Sequence, residues 1–134
     1  MKKKRYISAV LLCLYIITVA LLCFIKTESL PSVELTIFGI PTDKLVHAVM
    51  FFPFPVLTYM TFQPDEGGIW RSLPIIIAAV ALGLGLAAGT ERIQTLLGYR
   101  TGDVKDLMSD MVGILCGAVL TLIYVVFIKN DRLK

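Results

Sequence analysis

Hydrophobic residues gather into four long runs along the chain, and short polar stretches separate these runs. The runs cover about residues 6–25, 45–62, 73–90 and 107–128, with almost all acidic and basic residues outside them. Each run has roughly the 18–20 residues that a helix needs to cross a hydrocarbon core of about 30 Å. Because the runs are continuous and do not alternate with polar residues, they predict helices and not barrel strands.

The pattern therefore predicts an all-α fold, a bundle of four transmembrane helices that forms a single membrane domain over residues 1–134. The composition supports this prediction, since 57% of the residues are hydrophobic and only 17% are charged. A soluble domain of this size cannot bury so much apolar surface in its own core. The net charge of +3 comes mainly from residues that flank the runs, so we expect membrane orientation to explain it and expect no nucleic-acid partner.

Neither the cysteines nor the single histidine predicts a cofactor. Cys13, Cys23 and Cys116 all lie within apolar runs, so neither a disulfide framework nor a zinc site of the C-x-x-C type is expected. With His47 as the only histidine, a metal site with several histidines is impossible. We expect no metal and no cofactor, although His47 with Asp43, Glu91 and Asp106 remains an alternative site for a divalent ion.

Prolines and glycines predict how the helices bend and pack. Pro53 and Pro55 lie inside the second run, where missing amide hydrogens bend a helix. Gly113 and Gly117 form a G-x-x-x-G in the fourth run, a pattern typical of close helix contact in membranes. We expect this contact to lie within the monomer.

Basic residues predict the orientation of the bundle. With four spans, both termini and the connection between the second and third spans share one side, which holds eight Lys and Arg residues against five on the other. The positive-inside rule then places both termini in the cytoplasm.

A set of polar residues lies at the outer ends of the second, third and fourth helices, at helical spacings that put each subset on one face. Ionisable groups at this depth are costly unless they pair or line a wet cavity. We therefore predict an outward-opening polar pocket, with a purely structural polar clamp as the alternative. Its members are Asp43, Lys44, His47, Glu91, Gln94, Arg100, Asp106 and Asp110, with Asp103 nearby.

These residues, in this order, resemble the VanZ-like family of bacterial membrane proteins. The matching segments are Asp43-Lys44-Leu45-Val46-His47, Glu91-Arg92-Ile93-Gln94, Arg100, Asp106 and Asp110-Met111-Val112-Gly113 with Gly117. The resemblance implies the plasma membrane of a bacterium as the location. It also implies a link to the cell envelope, since the family takes its name from a member associated with resistance to teicoplanin. The family usually shows Asn where this chain has Asp110. Aspartate in place of asparagine removes a hydrogen-bond donor and adds a charge.

Three functions fit these observations. The first is a non-catalytic module whose pocket binds an anionic or lipid-linked envelope component, or an acylated glycopeptide. The second is an intramembrane enzyme in which Glu91 and Asp106 act as acid and base. The third is a structural accessory subunit of a larger membrane complex. We expect the first, because the chain has no nucleophile in a context typical of catalysis.

Overall fold

The computed structural model describes residues 2–24, 36–37, 39–65, 68–98 and 104–129. These residues form five α-helices, a short hairpin and a terminal π-helical segment. In chain order the elements are α1 (Lys2–Phe24), β1 (Thr36–Ile37), β2 (Ile40–Pro41), α2 (Thr42–Phe51), α3 (Pro53–Phe62), α4 (Ile69–Leu96), α5 (Val104–Ile123) and the π-helical segment Tyr124–Lys129.

Within the described residues, four helical stretches are long and apolar enough to cross a membrane, which confirms the prediction of four such helices. The second stretch combines α2 and α3, and the fourth continues from α5 into the π-helical segment. The stretches cover Lys3–Phe24, Thr42–Phe62, Ile69–Leu96 and Val104–Phe127. Many of their large apolar side chains are exposed on the surface of the bundle, where lipid would cover them.

The second span divides into α2 and α3 where its two prolines begin. Phe52 separates α2 from α3, yet its backbone keeps helical dihedral angles of −56° and −42°. Its amide donates to the carbonyl oxygen of Ala48 at 3.1 Å, so the chain continues in helical form through the break. Pro53 and Pro55 have no amide hydrogen, and the carbonyl four residues before each of them loses its usual helical donor.

Helix α5 packs against this second span through two glycines. A Cβ atom built on Gly113 would overlap the backbone carbonyl of Ala48, and one built on Gly117 would overlap the carbonyl of Phe52. Only a residue without a side chain therefore permits this distance between the two backbones. By contrast, a Cβ built on Gly85 of α4 would meet nothing within 4 Å.

The ends of the helices fix which parts of the chain lie together. The Arg5 guanidinium near the start of α1 hydrogen-bonds the carbonyl of Gln63 and lies 2.7 Å from the Asp65 carboxylate. The start of α1 and the connection after α3 therefore lie at the same end of the bundle. At the other end, the β1–β2 hairpin turns at Gly39 with φ of 78° and leads directly into α2.

Candidate functional site

Three helices bring their polar residues to one end of the bundle, where α2 and α5 begin and α4 ends. We call this the charged end. The first two turns of α2 carry Asp43, Lys44 and His47. In α5, Asp106 and Asp110 are four residues apart, so both side chains lie on one face. This face is buried, since Asp106 and Asp110 each expose only 1% of their surface.

Lys44 forms an ion pair with the buried carboxylate of Asp106. The Lys44 ammonium also lies 3.3 Å from the Asp43 carboxylate on its own helix. Its side chain is 15% exposed, against 1% for Asp106 and 42% for Asp43. The ion pair therefore joins α2 to α5 and lies between the outer part of the charged end and the bundle interior.

His47 lies one turn deeper and joins the same two helices. Its Nδ1 atom shares a hydrogen bond of 2.9 Å with Oδ1 of Asp110. Its Nε2 atom lies 3.8 Å from Oδ2 of Asp106. The imidazole is thus placed between two buried carboxylates, one on each ring nitrogen.

Glu91 brings α4 into this arrangement. One carboxylate oxygen of Glu91, one oxygen of Asp110 and one ring nitrogen of His47 all lie within 4.8 Å of one another. Three different helices therefore supply this group. We call Asp43, Lys44, His47, Glu91, Asp106 and Asp110 together the polar cluster.

The helical spacing groups Gln94 with Glu91, but the side chain of Gln94 bonds a different helix. It lies one turn beyond Glu91, but its side-chain amide donates to the backbone carbonyl of Cys23 at 2.6 Å. This bond satisfies a carbonyl in the last turn of α1. Gln94 thus connects α4 to α1.

Tyr15 makes a polar contact that the sequence analysis did not predict. Its hydroxyl donates to the backbone carbonyl of Met50 at 2.5 Å, and its ring packs beside that of Phe54 with centroids 6.4 Å apart. The contact joins α1 to the second span. A tyrosine in an apolar run carries no sequence signal for such a role.

The polar cluster carries more negative than positive charges. It contains four carboxylates, from Asp43, Glu91, Asp106 and Asp110, against the single ammonium of Lys44. Arg100, which the sequence analysis placed in the pocket, lies outside the described residues, as does Asp103.

The architecture and this site define an integral membrane protein, a four-span helical bundle with charged side chains buried between three helices at one end. Comparison with protein families gives the particular family. The family model of VanZ/LLP1 matches residues 10–127, and the chain belongs to this family. The resemblance that the motifs indicated is therefore confirmed.

One curated relative comes from a eukaryote. The chain is 29% identical over 82 residues to an uncharacterized protein of Schizosaccharomyces pombe, and this match covers 61% of the chain. The match covers about half of the relative, 48% of its length. No solved structure matches the chain.

Proposed function

We propose that this VanZ-like protein acts in the bacterial cell envelope, where its polar cluster binds the polar head of a lipid-linked component. The observation that supports this proposal is the buried Lys44–Asp106 ion pair at one end of the bundle. Ionisable groups inside membrane proteins are costly and usually serve a ligand or ion. For packing alone, well-fitted apolar residues often serve as well as a buried ion pair or better.

The charges of the polar cluster favour one kind of head group. Four carboxylates accept hydrogen bonds, whereas the only ammonium among the described members is already held by Asp106 and Asp43. A head group rich in hydroxyl and amide donors matches these acceptors. A purely anionic head group would instead depend on Arg100, so we favour the lipid-linked class over the simply anionic one.

The proposed orientation places the charged end at the outer face of the plasma membrane and both termini in the cytoplasm. The excess of Lys and Arg on the side of the termini supports this orientation. An acylated glycopeptide such as teicoplanin would then reach the cluster with its polar part, while its acyl chain enters the surrounding lipid. Resistance to such a compound is the most direct consequence that can be measured.

The experiment compares protection by variants in a Gram-positive host at matched membrane levels. Wild-type protein should raise the inhibitory concentration of teicoplanin but not that of vancomycin, which has no acyl chain. Lys44→Met, Glu91→Gln and Asp106→Asn should lose this protection, whereas loss in Arg100→Ala would favour the anionic head group instead. Arg92→Ala is the matched control, because Arg92 is an exposed cation next to Glu91 and should protect like the wild type.

Two outcomes would contradict the proposal. If the wild type behaves like an empty vector, the protein has no glycopeptide role in that host, and the accessory-subunit function becomes the better explanation. If purified wild-type protein turns over a lipid-linked substrate and Glu91→Gln abolishes this turnover, the enzyme function replaces the binding function. The structure adds no support for a Glu91–Asp106 acid/base pair, since Asp106 is bound to Lys44.

A further inference from the structure

We infer that His47, Glu91 and Asp110 form a binding site for a divalent transition-metal ion, with Zn²⁺ as the best match. The three side chains come from α2, α4 and α5, and each offers one ligand atom within 4.8 Å of the other two. One imidazole and two carboxylates are groups that bind Zn²⁺. This inference goes beyond the function proposed above and does not depend on it.

An unsatisfied oxygen gives independent support. Asp110 is 1% exposed, and its Oδ1 atom bonds His47. Its Oδ2 atom is buried and has no hydrogen-bond partner among the residues that the structure describes. Buried carboxylate oxygens are nearly always paired, because an unpaired one has lost its water without gaining a partner. A cation bound by both carboxylate oxygens of Asp110, together with Glu91 and His47, would supply that partner.

His47 and Asp110 are nearly far enough apart to be two ligands of the same ion. Nδ1 of His47 lies 2.9 Å from Oδ1 of Asp110. With metal–ligand bonds of about 2.1 Å, a tetrahedral ion needs a separation of about 3.4 Å, so the two atoms would move apart by about 0.5 Å on binding. The ion would then take the place of the proton that His47 and Asp110 share.

Asp106 lies where an outer partner of a metal-bound histidine is expected. Its Oδ2 atom is 3.8 Å from Nε2 of His47, the ring nitrogen that faces away from Asp110. A metal-bound imidazole usually donates its other N–H group to a carboxylate, which fixes the tautomer and the ring orientation. Lys44, paired with the other oxygen of Asp106, would hold that carboxylate in place.

The charges of the site also match a divalent cation. Two carboxylates and a neutral imidazole carry a formal charge of about −2, which a divalent ion neutralises. The nitrogen ligand favours Zn²⁺ over Mg²⁺ or Ca²⁺, since these two prefer ligands that are all oxygen. Three protein ligands leave a further position for water or for an oxygen of a head group.

Metal binding to the full-length protein tests the inference directly. The protein is purified in lipid nanodiscs without a polyhistidine tag, stripped with a chelator, and titrated with Zn²⁺ by calorimetry and with Co²⁺ by visible absorption. We expect one ion per chain. Glu91→Gln and Asp110→Asn should each weaken Zn²⁺ binding by at least about tenfold, and Asp106→Asn by about 10–100-fold, as for other outer partners of metal-bound histidines.

Asp65→Asn is the matched control. Asp65 is another carboxylate, but it lies at the opposite end of the bundle, is 55% exposed and pairs with Arg5. This variant should bind one ion with wild-type affinity. Failure of wild-type protein to retain one ion per chain overturns the inference, as does wild-type affinity in both Glu91→Gln and Asp110→Asn.

Thermal stability separates lost metal binding from lost folding. Saturating Zn²⁺ should raise the unfolding temperature of the wild type and of Asp65→Asn, but not that of Glu91→Gln or Asp110→Asn, which should remain helical by circular dichroism. An equal shift in all four proteins would overturn the inference. The titration contains no amphiphile, so its result and the result of the teicoplanin experiment are independent of each other.

Discussion

The two ends of the bundle differ in whether their buried polar side chains are charged or neutral. At the charged end, the helices are joined by ionised groups, most directly by Lys44 and Asp106. At the opposite end, α3 and α4 are joined by two neutral hydroxyls, those of Tyr59 and Ser72, which lie 2.9 Å apart and are fully buried. Because a neutral pair is enough to link two helices there, the charges at the charged end exceed what packing requires. This excess is the physical reason for assigning a binding role to that end.

Removing the lysine should have the largest effect on stability. Lys44→Met leaves Asp106 buried without its cation, and breaking such a pair costs about 3–5 kcal/mol. We expect that loss in the free energy of unfolding, measured in mixed detergent micelles. The double variant Lys44→Met/Asp106→Leu removes both charges and should recover most of it. If the double variant is as unstable as the single one, the ion pair is required for folding, and the comparison between the two ends fails.

A methyl group at the contact between α2 and α5 should have the next largest effect. Gly113→Ala places a Cβ against the carbonyl of Ala48, and this overpacking should lower the free energy of unfolding by about 1–3 kcal/mol. Gly85→Ala is the control, because space is open around it and alanine favours a helix. Equal stability of the two variants would show that α5 does not depend on this close approach.

The neutral pair at the opposite end should contribute less than the ion pair. Tyr59→Phe removes the hydroxyl that bonds Ser72 and should cost about 1 kcal/mol. Its teicoplanin protection and Zn²⁺ affinity should match those of the wild type, since the change is remote from the polar cluster. A loss of either property would show that the two ends are coupled.

The surface pair should have the smallest effect. Arg5 and Asp65 side chains are 36% and 55% exposed, and exposed ion pairs contribute about 0.2–1 kcal/mol. We expect Arg5→Ala to lower the free energy of unfolding by no more than that range, and the difference should shrink in high salt. A larger loss would mean that the bond from Arg5 to the Gln63 carbonyl is important for stability.

The spans could be predicted from the sequence because hydropathy is a local property. A run such as residues 73–90 needs no knowledge of its neighbours to indicate a membrane helix, and α4 contains this run in full. The division between α2 and α3 falls at the prolines, where the sequence predicts a bend, since a proline removes the donor of its own residue wherever the helix packs.

The partners within the site could not be predicted in the same way. Helical spacing placed Glu91 and Gln94 on one face, yet Gln94 bonds the Cys23 carbonyl of α1 while Glu91 lies near His47. Spacing determines only which residues share a face. The partner depends on the rotation of each helix and on which helix lies beside it, and both result from packing of the whole bundle.

The burial of Asp106 and Asp110 in α5 has a consequence for how the chain is made. Carboxylates inserted into lipid without partners are costly. Synthesis proceeds from the N-terminus, so Lys44 and His47 leave the ribosome about sixty residues before the carboxylates they meet. The last span can therefore enter a membrane in which its basic partners are already present. This order of synthesis shortens the time during which the two acids face the lipid alone.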